Sequence, residues 1–121
     1  MYEYKAKIER VVDGDTVCAM VDLGFNVFGR VDFRLFGIDA PDANSTNPEE
    51  RLLAKTAKDR LIGLVEGKDV IIRTHETDEY GRWLAEIKPV GYIGIGTVNS
   101  QLISDGLAKQ YFGIGPKPTW S

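Results

Sequence analysis

Three short segments of the sequence concentrate acidic residues, arginines and glycines in patterns that could carry chemistry. They are Asp-Gly-Asp-Thr at 13–16, Arg-Leu-Phe-Gly-Ile-Asp-Ala-Pro-Asp at 34–42 and Asp-Glu-Tyr-Gly-Arg at 78–82. Carboxylates at a strand turn and at a strand end can converge on a hard cation such as calcium, which takes several oxygen ligands and keeps water molecules in its shell. We therefore predict that Asp15 and Asp39 are metal ligands.

The cysteine and histidine content restricts the kind of metal site that this chain can build. The sequence contains one cysteine, Cys18, and one histidine, His75. An internal disulfide, a multi-cysteine zinc site and a paired-histidine motif are therefore excluded, and oxygen atoms must hold any bound metal. Cys18 is expected in the core, whereas His75 has no serine or cysteine motif nearby and is expected at the surface without a catalytic role.

The two arginines of these segments suit chemistry on a phosphate. A planar guanidinium can hold two phosphate oxygens and neutralise the charge that grows in a transition state, so Arg34 and Arg82 could clamp one phosphodiester. A further carboxylate, Asp42, could accept the proton of a water molecule that attacks phosphorus. The same residues also have ordinary interpretations, because an isolated Asp-Gly-Asp is often a polar turn and a strand arginine is often ion-paired. Spacing alone does not decide between these alternatives.

The periodicity of apolar residues predicts the elements that must position these groups. A helix should begin at Pro48, which acids follow in the first turn, and should end at Gly67. Its apolar face is expected to contain Leu53, Ala57, Leu61, Leu64 and Val65. The other predicted elements are strands over 4–12, 16–21, 27–36, 70–73 and 84–90 and a short helix over 98–105. Five short strands with a helix after the third favour an all-β barrel with helices (α+β), of the five-stranded oligonucleotide-binding (OB) type.

Length and composition indicate one compact domain. The chain has 121 residues, of which 43% are hydrophobic, so we expect a single domain over 1–121 with an irregular tail over 113–121. No window reaches the ~18 consecutive apolar residues that a membrane span needs, and the start lacks a secretory profile. We therefore expect a cytoplasmic protein with no membrane partner and no obligate protein partner. The formal net charge of −3 limits the affinity for nucleic acid, because basic residues supply most of that affinity.

Four segments of the chain resemble the staphylococcal nuclease (thermonuclease) family. They stand in the family's order with similar spacing and span roughly Tyr4 to Tyr111. The segments are Val-Asp-Gly-Asp-Thr-Val at 12–17, Phe-Arg-Leu-Phe-Gly-Ile-Asp-Ala-Pro-Asp at 33–42, Asp-Glu-Tyr-Gly-Arg at 78–82 and Val-Asn-Ser-Gln-Leu-Ile-Ser-Asp-Gly-Leu-Ala at 98–108. The resemblance implies a staphylococcal nuclease-like OB barrel and a calcium-dependent endonuclease that cleaves single-stranded DNA and/or RNA to products with a 3′-phosphate.

The resemblance also implies roles for individual residues. Calcium would be held by Asp15, Asp39 and the backbone carbonyl of Ala40, with Asp13 as a nearby acid outside the ligand set. Further roles implied are phosphate clamping by Arg34 and Arg82, general-base catalysis by Asp42, contact with the substrate phosphate by Tyr80 and contact with a base by Tyr111.

Three departures from the family pattern bear on activity. Asp42 is one methylene shorter than the family's usual glutamate, and a misplacement of about 1 Å can lower a rate roughly 100-fold. The segment 113–121, with Trp120 as a lid, stands in place of a long basic C-terminal helix, and the overall charge is acidic. The alternative function is therefore an OB-fold module that binds nucleic acid or protein and is catalytically weak or inactive.

Overall fold

The computed structural model describes residues 2–92 and 96–120. Its elements, in chain order, are β1 (Glu3–Asp13), β2 (Thr16–Asp22), β3 (Phe28–Leu35), β4 (Ile38–Asp39), α1 (Pro48–Val65), β5 (Asp69–Thr77), β6 (Trp83–Pro89), α2 (Val98–Ser104) and β7 (Lys109–Gln110). Neither of the two helices in these ranges combines the length and the apolar character that a bilayer crossing requires.

Five of these strands form a closed barrel in the order β1-β2-β3-β6-β5. The neighbouring strands are antiparallel except for β3 and β6, which are parallel over Phe33–Leu35 and Trp83–Ala85. This parallel pairing of three residues on each strand closes the barrel, and closure limits the sheet edge that is open to pairing with other chains. The predicted five-stranded barrel with two helices is confirmed.

Two features of the strands differ from the prediction. β5 was expected to end at Arg73, but it continues to Thr77, because Thr74 and Thr77 pair with β6 across an irregularity in the ladder. The short strands β4 and β7 were not expected. They pair with each other outside the barrel, and with two residues each they are too brief to show a period of two.

Helix α1 begins where the sequence predicts, because Asn47 caps it. The side-chain oxygen of Asn47 accepts a hydrogen bond from the Glu49 amide at 3.0 Å, and Pro48 occupies the first helical position. The buried face consists of Ala54, Ala57, Leu61 and Val65, whereas Leu53 and Leu64 are only half-buried. The small residue Ala57 faces the turn between β1 and β2, so α1 packs directly on that turn.

Helix α2 is joined to the barrel by one buried amide. Asn99 is only 4% exposed, and its side chain makes three hydrogen bonds to backbone groups. Its oxygen accepts from the Ile87 amide at 3.2 Å, and its nitrogen donates to the carbonyls of Phe36 at 2.9 Å and Ala85 at 3.0 Å. Asn99 therefore ties α2 to β6 and to the turn after β3.

We predict that Asn99→Ala lowers the free energy of unfolding by at least about 2 kcal/mol, because each buried backbone group left without a partner costs about 1–3 kcal/mol. Urea unfolding followed by circular dichroism measures this loss. Gln101→Ala on the same helix is the control, because its side chain bonds at a more exposed position, and its cost should stay below about 1 kcal/mol. Equal costs for the two variants would contradict the central position of Asn99.

Candidate active site

The turn between β1 and β2 brings the first acidic segment next to β3. Asp15 lies in this turn, and its carbonyl accepts a hydrogen bond from the Leu35 amide at 2.8 Å. The next residue, Thr16, pairs with Arg34 across β2 and β3. Asp39 arrives from β4, immediately after the turn that ends β3. The fold thus delivers Asp15, Arg34 and Asp39 to one place.

One guanidinium lies between two carboxylates at this place. Nη2 of Arg34 is 3.2 Å from Oδ1 of Asp39 and 3.6 Å from Oδ2 of Asp15. The Asp15 carboxylate is further fixed by the Ala40 amide at 3.2 Å and the Thr16 hydroxyl at 3.1 Å, both of which donate to it. The Arg34 side chain is only 14% exposed, so these contacts lie in a partly desolvated setting.

The burial of Asp39 disfavours the ionised form of its carboxyl group. Asp39 is 5% exposed, and this burial raises the pKa of its carboxyl above the ordinary value, with a smaller contribution in the same direction from Asp15. The Trp120 indole N–H and the cations Lys117 and Arg34 act in the opposite direction without reversing the shift. A further cation bound beside Asp39 would stabilise its ionised form.

The other acids add to this negative field. Burial raises the pKa of Asp13, and the charges of Asp15 and Asp42 raise it further, while Lys58 and Arg82 act against them. The acids of the first two sequence segments, Asp13, Asp15, Asp39 and Asp42, all line the same cleft. The predicted grouping of Asp13 with the candidate ligands is therefore present in the structure.

These side chains line one open cleft of about 650 Å³. The second arginine of the predicted pair, Arg82, also lines it, although its Nε donates to Oδ2 of Asp78 at 2.9 Å. Asp78 in turn accepts hydrogen bonds from the Tyr80 and Arg82 amides. Burial alone would raise the pKa of Asp78, but these bonds and the nearby charge of Arg82 hold it below the ordinary value. The third segment therefore forms a turn that holds Arg82 at the cleft.

The two predicted aromatic contacts lie outside this cleft. Tyr80 and Tyr111 line a second cleft of about 220 Å³, which shares Arg34 and Lys117 with the first and also contains Phe36. Tyr80 is 75% exposed, and the Tyr111 hydroxyl donates to the Gly115 carbonyl at 3.1 Å. Arg34 thus lines both the acidic cleft and this second, aromatic cleft, which also contains the acids Glu76, Asp78 and Glu79.

His75, which was expected at the surface, is half-buried in the part of β5 beyond Arg73. Its side chain is 18% exposed, and its ring stacks on Phe36 with 3.8 Å between the centroids. Its Nε2 lies 2.8 Å from Oε2 of Glu86 on the neighbouring strand β6. Cys18 is buried, as predicted.

The tail after β7 lines part of the acidic cleft. Trp120, which was expected to act as a lid, lies in this part of the tail. The Trp120 indole N–H lies 3.5 Å from Oδ2 of Asp39, and Lys117 Nζ lies 3.8 Å from Oδ1. Lys109 anchors the tail, because its ammonium group donates to the Thr119 carbonyl and lies 4.6 Å from the centre of the Trp120 ring. Lys117 could not be predicted at this site, because the tail has no periodicity.

The donors in the cleft fit a hard cation that keeps part of its hydration. Among residues 2–92 and 96–120, no group of three or more His, Cys, Asp or Glu side chains is arranged to hold a metal ion. Two carboxylates, Asp15 and Asp39, do converge on one positive group, and the Ala40 backbone lies beside Asp15. Such an oxygen set suits calcium with several water ligands better than a metal that requires nitrogen or sulfur.

Comparison with known proteins agrees with this fold. The family model described as "Staphylococcal nuclease homologue" matches residues 32–119. The chain therefore belongs to the staphylococcal nuclease family.

Several relatives share about a third of their aligned residues with the chain. "Endonuclease YhcR" of Bacillus subtilis (strain 168) is 30% identical over an alignment of 118 residues that covers 91% of this chain and 9% of that protein. "Protein ParB" of Escherichia coli is 31% identical over 70% of the chain and 42% of its own length, and "Probable endonuclease LCL3" of Candida glabrata is 34% identical over 69% of the chain and 32% of its own length. The chain thus spans less than half the length of each of these relatives.

The acidic turn tolerates no side chain at its centre. A Cβ at Gly14 would lie 2.9 Å from Cβ of Ala57 on α1 and 3.1 Å from Cβ of Ala40. Gly14 thus allows α1 and the segment after β4 to approach the turn that carries Asp13 and Asp15.

We predict that Gly14→Ala lowers the free energy of unfolding by about 1–3 kcal/mol through overpacking. The loss should be smaller by at least about 0.5 kcal/mol in an Ala57→Gly background, because that change removes the nearest atom. Denaturant unfolding of the four proteins in this double-mutant cycle measures the coupling. Additive losses would show that the contact between the turn and α1 is not the cause.

Proposed function

We propose that the chain is a calcium-dependent nuclease that hydrolyses phosphodiester bonds of single-stranded DNA and/or RNA by attack of water. The observation that carries this proposal is the placement of Arg34 between Asp15 and Asp39 at the wall of an open cleft that also contains Asp42 and Arg82. Membership of the family and the names of two relatives as endonucleases support the same chemistry.

Asp15, Asp39 and the backbone carbonyl of Ala40 would hold the calcium ion. When bound, calcium supplies Lewis-acid stabilisation of negative charge on a phosphodiester. The chain itself holds the two carboxylates side by side, and Asp39 is only 5% exposed. A bound cation would stabilise the ionised form of both carboxylates.

The arginines would bind the phosphate and neutralise the charge that grows during attack. Arg34 is oriented by its two carboxylates, and Arg82 is oriented by Asp78, so neither guanidinium has to be ordered when substrate arrives. Donors that are held in place in advance stabilise developing charge without having to reorganise during the reaction.

Asp42 would accept the proton of the attacking water molecule. A product with a 3′-phosphate requires that the bond between phosphorus and the 5′ oxygen breaks, so the leaving 5′ oxygen takes up a proton as the water loses one. The carboxylate of Asp42 lines the same cleft as both arginines, which is the location that this role needs.

The aromatic cleft beside Arg34 would hold a nucleobase. Tyr80 and Tyr111 line it, and stacking on such side chains requires a base that is not paired in a duplex. This requirement is the reason for proposing a single-stranded substrate. A cytoplasmic location and the absence of an obligate protein partner stay predictions from the sequence.

A second candidate function is binding without efficient cleavage. The net charge of −3 weakens attraction to a phosphate backbone, and Asp42 has a short side chain. Contacts from Lys117 and Trp120 also lie against both oxygens of Asp39, where a metal ion would have to bind. These features favour an OB-fold module that binds nucleic acid or protein if cleavage is absent.

We predict that Asp39→Ala raises the dissociation constant for calcium at least about 10-fold, because it removes one of the two converging carboxylates. Titration calorimetry on folded protein measures the affinity. Asp59→Ala is the matched control, since it removes the same charge from an exposed position on α1 and should leave the affinity unchanged. An unchanged affinity in Asp39→Ala would remove Asp39 from the ligand set.

We predict that Arg34→Ala lowers kcat for cleavage of a single-stranded oligonucleotide at least about 100-fold, as expected when a transition-state donor is lost. Arg34→Lys should recover little, because an ammonium group cannot form the same fork. Calcium should bind Arg34→Ala as tightly as the parent or more tightly, since a positive charge next to both carboxylates is lost.

The matched control for this prediction is Arg30→Ala. Arg30 lies on the same strand and pairs with Glu9 at 2.7 Å, but its side chain is 64% exposed. Exposed pairs contribute only about 0–1 kcal/mol to stability, so this variant should cleave like the parent. Near-normal turnover in Arg34→Ala would exclude Arg34 from the chemistry.

A further inference from the structure

Glu50 lines the acidic cleft although the sequence marks it only as an acid in the first turn of α1. Its carboxylate accepts two hydrogen bonds from the protein. Oε2 accepts a hydrogen bond from the Asp42 amide at 2.8 Å, and Oε1 accepts one from the Ser45 hydroxyl at 2.9 Å. Both oxygens of Glu50 therefore hold the loop that connects β4 to α1.

Other contacts fix the same loop to the start of the helix. Arg51 donates from Nη1 to the Ser45 carbonyl at 2.8 Å, and the Ser45 hydroxyl accepts from the Asn47 amide at 3.1 Å. The Asn44 amide donates to Oδ1 of Asp42 at 2.8 Å. The loop is thus attached to α1 at several points. Within the loop the Ser45 amide donates to the Asp42 carbonyl at 3.2 Å, whereas the bond from the Asp42 amide to Glu50 ties the Asp42 backbone to α1.

Asp42 depends on such bonds because packing does not hold it. Its side chain is exposed, in contrast to the buried Asp39 three residues earlier. A short carboxylate has little reach with which to correct a shift of its own backbone, and a displacement of about 1 Å can lower a rate roughly 100-fold. Whatever fixes the Asp42 backbone therefore fixes the position of its carboxylate in the cleft.

We propose that Glu50 is a positioning residue for Asp42: it anchors the Asp42 amide and so places the Asp42 carboxylate for proton transfer. The inference rests on the proposed function, in which Asp42 is the general base. In this proposal Glu50 holds the loop and transfers no proton: its two oxygens accept hydrogen bonds from the Asp42 amide and the Ser45 hydroxyl. Its charge at the N-terminus of α1 also suits the helix dipole.

The test compares Glu50→Ala, Glu50→Gln and Glu49→Ala in cleavage of a single-stranded oligonucleotide. Glu50→Ala should lower kcat at least about 10-fold with little change in KM, because positioning affects the reaction and not the binding of substrate. Glu50→Gln should stay within about 3-fold of the parent, since an amide oxygen can still accept from the Asp42 amide. Glu49→Ala removes the neighbouring exposed acid of the same turn and should cleave like the parent.

A double-mutant cycle separates positioning from a direct role. In an Asp42→Asn background, which keeps an oxygen for the Asn44 amide but removes the base, Glu50→Ala should cost less than about 2-fold. The proposal is overturned if Glu50→Ala retains its full cost in that background. It is also overturned if Glu50→Gln is as slow as Glu50→Ala, because Glu50 would then be a proton acceptor itself.

Amide hydrogen exchange gives a readout that does not depend on cleavage. The Asp42 amide should exchange at least about 10-fold faster in Glu50→Ala than in the parent, and at the parental rate in Glu49→Ala. Unchanged exchange in Glu50→Ala overturns the anchoring contact. A parent protein that fails to cleave in calcium overturns the proposed function and the catalytic purpose of Glu50, while faster exchange would still establish the contact.

Discussion

The shared contact of Arg34 with Asp15 and Asp39 is the interaction on which the arrangement of the cleft depends. Two carboxylates that meet in a partly desolvated space repel each other, and each loses hydration, so a positive group must accompany them. Arg34 supplies that group from within the barrel wall, at 3.2 Å from one carboxylate and 3.6 Å from the other. Its position follows from the pairing of β2 with β3, which is therefore a condition for the site and not only for the barrel.

The same contact sets the conditions for binding a metal ion and a phosphate. A cation at Asp15 and Asp39 must share the two carboxylates with Arg34, and at Asp39 also with Lys117 and Trp120. The negative field of the cleft favours the cation, whereas each resident positive group weakens it. A phosphodiester would add negative charge beside Arg34 and a bound cation, so cation and phosphate are expected to support each other's binding.

Part of this structure could be predicted from the sequence because its causes are local. Alternating side chains specify the barrel strands, and the Asn47-Pro48 start of α1 carries its own capping signal. The convergence of the three chemical segments could be predicted only with the resemblance to a family, because spacing along a chain does not determine distance in a barrel. The role of each predicted site residue stays a prediction.

The features that sequence analysis missed depend on contacts between distant segments. β4 and β7 exist only because residues 38–39 meet residues 109–110, and two residues show no pattern. His75 stacks on the ring of Phe36, which lies in the turn after β3. From the sequence, Glu50 is interpreted only as an acid in the first turn of a helix. Its hydrogen bonds to the loop before α1 are therefore not predicted.

The central claim is that the cleft around Arg34 cleaves nucleic acid with the help of calcium. The most direct measurement is the rate at which purified protein cuts an end-labelled single-stranded oligonucleotide in calcium, in excess chelator, and after calcium is restored. The proposed activity predicts cleavage to products with a 3′-phosphate in calcium, loss of cleavage in chelator and recovery when calcium is restored. Cleavage that continues unchanged in chelator, or no cleavage in calcium by folded protein that binds the oligonucleotide, would contradict it.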